Sequence, residues 1–176
     1  MATFGLVHGA YHGAWCWERL TPELEARGHR VLSVDLPCED PLAGASEYAA
    51  AAIEAFADAD DDLVLVGHSL GGLSIPLVAQ ARPVTRLVFL CALVPRPGRA
   101  HEDVAADEPD MTLPGPEGGA FSGPDGATRR HPDAAARWSR RIAREVLGVE
   151  PLELDAGHSP FLSAPAALAE MLDPRP

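Results

Sequence analysis

Short apolar runs alternate along the chain with longer stretches in which apolar residues recur every three or four positions. Thr3–Val7 (TFGLV) is an apolar run that stops at His8-Gly9, and 30–36 (RVLSVDL) is a second that stops at Pro37. Residues 63–66 and 86–94 (RLVFLCALV) are apolar without interruption, so each predicts a strand covered on both faces. Between them, 17–27 reads as a helix: Thr21 can cap a second start, Pro22 suits a first turn, and Gly28 suits a stop. Residues 46–57 predict a helix with Ser46 as its N-cap and Tyr48, Ala52, Ala55 and Phe56 on one face. Residues 70–81 predict a helix that Pro76 should bend or deprive of one backbone bond. Strands alternating with helices imply βαβ units. The expected fold class is α/β, a mostly parallel open sheet flanked by helices on both faces.

The alternation breaks at 95–133, which is rich in Pro, Gly, Asp and Glu and has no sustained period. It returns at 134–147, where Trp138, Ile142 and Val146 form an apolar stripe and Arg137, Arg140, Arg141 and Arg144 mostly face away, as a solvated helix face would. Residues 149–154 are expected to be a last strand, and Pro151 argues for an edge position. A final helix is expected over 164–172, with Ser163 as cap and Pro165 in the first turn. No repeat or low-complexity tract interrupts this order.

Composition narrows the function classes. The 176 residues fit one domain, 1–176, in which 95–133 is an irregular remnant of a larger region. A net charge of -12 argues against a binder of nucleic-acid backbones or anionic lipid, which it would repel. The three cysteines, Cys16, Cys38 and Cys91, are odd in number and widely spaced; with no disulfide or metal-finger spacing, a reducing cytoplasm is expected. The start, MATFGLVHG, does not have the build of a signal peptide, and no segment has the length of a membrane span.

The chemistry is concentrated in LVLVGHSLGGLS, residues 63–74. Gly67, Ser69 and Gly71 form G-x-S-x-G after an apolar strand and before a helix, the context of a nucleophile elbow. A strand turning sharply into a helix strains its apex residue, and glycines two places away on either side remove the Cβ atoms that would clash. A serine hydroxyl needs a general base and donors for the oxyanion that develops. The base is expected to be His158 in LDAGHSPF, since reactive groups in such a sheet gather at the carboxyl ends of strands. The donors are expected from the backbone N–H of Leu70 and from the loop HGAYHGAWCW after the first strand, where Gly9, Ala10, Gly13 and Ala14 let amides approach a ligand.

Three segments, VHGAYHGAWCW, GHSLGG and DAGHSPFLSAPAALAEML, resemble the α/β-hydrolase superfamily, and within it the plant methylesterase and hydroxynitrile-lyase group and its bacterial relatives. The resemblance implies Ser69 as nucleophile, His158 as general base, and the amides of Ala10 and Leu70 as the oxyanion hole. It makes His8, His12 and His68 structural or pocket-lining residues, with Trp15, Leu70 and Trp138 bordering an apolar substrate pocket. No metal or cofactor is expected, because no carboxylate is spaced to complete a histidine site.

The sequence departs from that family where the third triad member should stand. The stretch before the Arg-rich helix, GPDGATRRHPD, carries no apolar run, so an internal deletion near 136–138 is expected to have removed most of the cap, one central strand and the usual acid. Glu102, Asp103 and Asp133 are the carboxylates available near the expected site. Loss of one strand displaces His158 by about 5 Å unless the intervening chain compensates, and leaves a sheet position open to a second copy of the chain, a homodimer. The leading expectation is a serine hydrolase of a small ester, thioester or amide. Lyase or cyclase chemistry on the same scaffold, and a catalytically impaired relative that binds a ligand or partner, stand as alternatives.

Overall fold

Four of the apolar runs form strands: β1 (Thr3–Val7), β2 (Arg30–Val34), β3 (Leu63–His68) and β4 (Arg86–Leu90). In the computed structural model, which describes residues 1–108, 111 and 133–173, these strands make one parallel sheet in the order β2-β1-β3-β4. The register sets Thr3 opposite Arg30 and Leu63, and His68 opposite Leu90. The chain runs outward from β1 to β2, then returns to the other side of β1 as β3. The strand order therefore reverses between β1 and β3, and at such a switch point the loops leaving the carboxyl ends diverge and open a crevice.

The period of two sends alternate strand residues to opposite faces. Phe4, Leu6, Val64 and Val66 pack on one face with Trp17, Leu20, Leu24, Phe161, Leu168 and Leu172. Val7, Leu63 and Leu65 pack on the other with Tyr48, Ala52, Phe56, Ile75 and Val78. The first face is covered by α1 (Thr21–Glu25), α6 (Pro160–Ser163) and α7 (Pro165–Leu172), the second by α2 (Ala45–Ala55) and α3 (Ile75–Ala81). Helices flank both faces, as the uninterrupted apolar strands require.

Several boundaries differ from the sequence expectation. The helix expected at 17–27 is a 3-10 turn at Ala14–Trp17 followed by the short α1. Ser46 does not cap α2; the N-cap position is Gly44, whose N–H donates to the Glu47 carboxylate at 2.8 Å. Residues 70–81 are not one bent helix. A 3-10 segment, Ser69–Leu73, ends at Ser74, and Pro76 lies in the first turn of α3, where a missing N–H costs nothing. At the C-terminal end Ser163 closes α6, and Ala164 holds the N-cap position of α7.

The stretch expected to be irregular contains α4 (His101–Asp107). Its residues 109–110 and 112–132 lie outside the described residues. After α5 (Asp133–Ile142) the helix continues as a π turn, Ala143–Leu147. Trp138, Ile142, Val94, Val104 and Met111 form a small third core against Phe89 and Leu93. Glu108 ties it together, accepting from the Trp138 indole N–H, Arg141 and Arg96. Trp138 is thus buried in this core, where its indole is already engaged.

The last strand expected at 149–154 does not form. Pro151 supplies no N–H, Val149 and Leu152 remain exposed, and the glutamates on either side are drawn to the helix before them. Arg140 donates twice to Glu153, at 2.7 and 2.8 Å, and Arg144 donates to both oxygens of Glu150 at 3.0 Å. The Arg-rich face is therefore exposed but not merely solvated: it holds the segment that leads to His158.

Candidate active site

Loops from three adjacent strands meet at the carboxyl edge of the sheet. Among the described residues, the non-glycine residues with positive φ are Tyr11 (62°), Ser69 (49°) and Cys91 (47°), following β1, β3 and β4. Left-handed backbone costs an ordinary residue roughly 1–3 kcal/mol, so strain has been gathered at one end of the sheet. For Ser69 the cause is the elbow. The backbone leaves β3 and turns at once into the 3-10 segment, so closely over β1 that a Cβ on Gly71 would lie 2.6 Å from the carbonyl oxygens of Val7 and His8. The carbonyl of Ser69 accepts from the Leu93 N–H at 2.9 Å, and the buried Ser74 hydroxyl donates to Gly71 at 3.0 Å. Ser69 itself is half-buried.

The loop after β1 lies directly against Ser69: a Cβ on Gly9 would be 2.7 Å from the Ser69 Cβ. His8, almost wholly buried, fixes this loop. Its Nε2 accepts from the Leu36 N–H at 3.0 Å, so the proton is on Nδ1, which donates to the Gly9 carbonyl at 2.8 Å. Burial holds His8 below the ordinary histidine range, against the opposing pull of the Gly9 bond and the Asp35 charge. His12 donates from Nδ1 to the Ala10 carbonyl at 3.0 Å, and Trp15, 57% exposed, stacks on the His12 ring at 5.7 Å.

His158 arrives from the far end of the chain. Its carbonyl oxygen accepts from His68 Nε2 at 3.0 Å, and the two rings are 4.8 Å apart. His68 is fully buried, with the edges of His12, Trp17 and Phe161 around it. Burial, then the neighbouring His158 and His12, hold it well below the ordinary histidine range. Contacts through Gly9, His12 and His68 thus join the loop that carries Ala10 and Trp15, the Ser69–Leu70 turn and the His158 loop. Glu102 and Asp103 are exposed on the first turn of α4, and the side chain of Asp133 lies outside the described residues.

Two residues at this crevice escaped sequence reasoning. Phe161 wedges among His12, Trp17 and His68, and its only sequence signal was its place three residues after His158. Cys91 follows Leu90, the register partner of His68, so its backbone runs beside Ser69. Burial raises its thiol to about 11.

The strained serine stands between a parallel strand and a helix, at the switch point of a doubly covered sheet, and the alpha/beta hydrolase family model matches residues 6–143. The chain belongs to the alpha/beta hydrolase family. This family member is 40% identical over 116 residues to the probable esterase PIR7A of Oryza sativa subsp. indica, covering 60% of this chain and 44% of that protein. It is 42% identical over 103 residues to the alpha-hydroxynitrile lyase of Arabidopsis thaliana, covering 52% of this chain and 40% of that one. The chain therefore spans less than half the length of these curated relatives. The pyrethroid hydrolase of Sphingobium faniae shares the fold, with a TM-score of 0.74 and 24% identity over 97% of this chain and 95% of that one. No helix among the described residues of this hydrolase-family chain is long and apolar enough to cross a membrane.

Proposed function

We propose that this chain is a serine hydrolase that cleaves a small ester, thioester or amide through an acyl-Ser69 intermediate. The observation that carries the reading is the pairing of a strained Ser69 with a His158 loop docked on the residue immediately before it. His158 takes the Ser69 Oγ proton as the oxygen attacks the substrate carbonyl. The tetrahedral intermediate collapses, the leaving group takes the proton from His158, and water then releases the acyl group by the same steps in reverse.

Peptide geometry supports the assignment of the oxyanion donors. All described peptide bonds are trans, so the N–H of Ala10 points opposite to the Gly9 carbonyl that His8 holds. With Gly9 against Ser69, that amide and the amide of Leu70, in the first turn after the strand, are the two donors. Trp15, stacked on His12 at the mouth, borders the acyl or alcohol group. Every step uses the chain's own residues and water, with no cofactor or metal. A reducing cytoplasm, and a homodimer across the open edge of β4, belong to the same reading.

A fluorophosphonate probe tests it. Labelling of the native protein at Ser69 is expected, with none in Ser69→Ala and at least about 100-fold slower labelling in His158→Ala. Folded protein that resists the probe contradicts it. The 42% identity to a lyase favours one second reading, in which Ser69 and His158 only move protons and no acyl-enzyme forms.

A further inference from the structure

We propose that His68 is a positioning residue for this reaction, its Nε2–H holding the carbonyl of His158 so that the general base is seated without a strand before it. The inference rests on the Ser69–His158 reading above and adds how the pair is assembled in this shortened chain.

In a longer sheet the backbone before the histidine would be fixed by ladder hydrogen bonds on the neighbouring strand. Residues 149–154 form no strand here, and the pairing before His158 is reduced to a single β-bridge residue, Gly157. Leu154 packs at the margin of the first core, and the ion pairs of Arg140 and Arg144 act through long, exposed side chains, a weak restraint. The bond from His68 is of another kind. It is partly buried, and its donor is rigid: His68 is the last residue of β3, paired with Leu90, and its ring is fully enclosed. Because Ser69 is the next residue, the element that aims the hydroxyl also places the loop carrying the imidazole.

The proton inventory supports this. A carbonyl oxygen only accepts, so His68 must carry its proton on Nε2. Its Nδ1 is then a bare lone pair, buried, with no hydrogen-bond partner among the described residues. Such an orphan calls for an explanation; the bond to His158 is the contact that selects the tautomer. Burial beside His158 and His12 keeps the ring neutral, so the donor does not change as His158 gains and loses its proton.

The test compares His68→Phe, which keeps a ring and removes the donor, with His68→Gln, which returns an N–H near the same place. Misplacing a reacting group by about 1 Å costs on the order of 100-fold. Phosphonylation of Ser69 and kcat on a nitrophenyl ester should fall by about that factor in His68→Phe with KM little changed, and return to within about tenfold of native in His68→Gln. Equal loss in both variants, or native rates in His68→Phe, overturns the proposal. Where His68→Phe does not fold, the nitrogen NMR spectrum of the native protein decides. A neutral Nε2–H tautomer at His68, constant from about pH 6 to about pH 8, supports the tether, and an Nδ1–H tautomer or a charged ring refutes it. Native protein that cannot be labelled at all sinks the hydrolase reading instead, and the tautomer still judges the tether.

Discussion

Two buried histidines divide the work at the scale of single residues. His8 is protonated on Nδ1 and His68 on Nε2, each choice forced by a carbonyl acceptor. Both are held below their ordinary value of 6.5 by burial. An unfolded chain takes up protons on these rings as pH falls through that value, and the folded chain does not. Their stabilising contribution is therefore complete above about pH 6.5 and is lost as pH falls below it, by at most about 1.4 kcal/mol per pH unit for each ring. Glu47, Glu150 and Glu153 are lowered from 4.5 by their hydrogen bonds, chiefly to the Gly44 N–H for Glu47 and to arginines for the other two; at Glu108 burial pushes upward but is outweighed by the bonds from Arg141 and Trp138, and all four act only at lower pH. Thermal melts should show stability falling from about pH 7 to about pH 5, with a shallower slope in His68→Gln; a flat native profile would contradict the buried neutral state. At this scale much was legible. The sharp turn at Ser69 and the glycines around it are legible from their spacing and from the strand before them, whereas the strand expected before His158 does not form. The division of labour between His8 and His68 was not, because it depends on which carbonyl each ring meets, and those contacts span 90 residues for His68.

At the scale of elements, apolar runs marked the four described strands, most plainly β3, where burial throughout leaves no polar positions to confuse the pattern, and less plainly β2, where Arg30 and Ser33 are exposed. Errors arose where side chains decide the backbone's course. Pro76, expected to bend a helix over 70–81 or deprive it of one backbone bond, starts a new helix because the 3-10 segment has already ended at Ser74. Residues 149–154 have the pattern of a strand, but Arg140 and Arg144 capture Glu153 and Glu150, and Pro151 weakens the competing ladder. The clamp has its own consequence. Replacing both arginines by alanine should leave the melting temperature nearly unchanged, as exposed pairs stabilise little, yet speed amide exchange in 152–158. The same acceleration should appear in native protein at high salt. Exchange in that segment indifferent to both changes would show that the ion pairs do not hold it.

At the scale of the whole molecule, the fold works because the chain reverses direction across the sheet beside β1. That reversal opens the crevice, and the loops from β1, β3 and β4 bring three strained residues to its rim. The described sheet ends at β4, yet the His158 loop still reaches the elbow, through His68 and the packing of Phe161. The sequence pattern predicts a further strand at 149–154 that the sheet lacks, and nothing in LDAGHSPF signals a bond to a ring in β3.

The most direct measurement is rapid-quench mass spectrometry of the protein mixed with a nitrophenyl ester. An acyl group on the peptide carrying Ser69, formed within the burst of nitrophenol release and absent from Ser69→Ala, is the predicted result. Sustained turnover with no adduct on Ser69 at any quench time, in protein shown to be folded, would contradict the account.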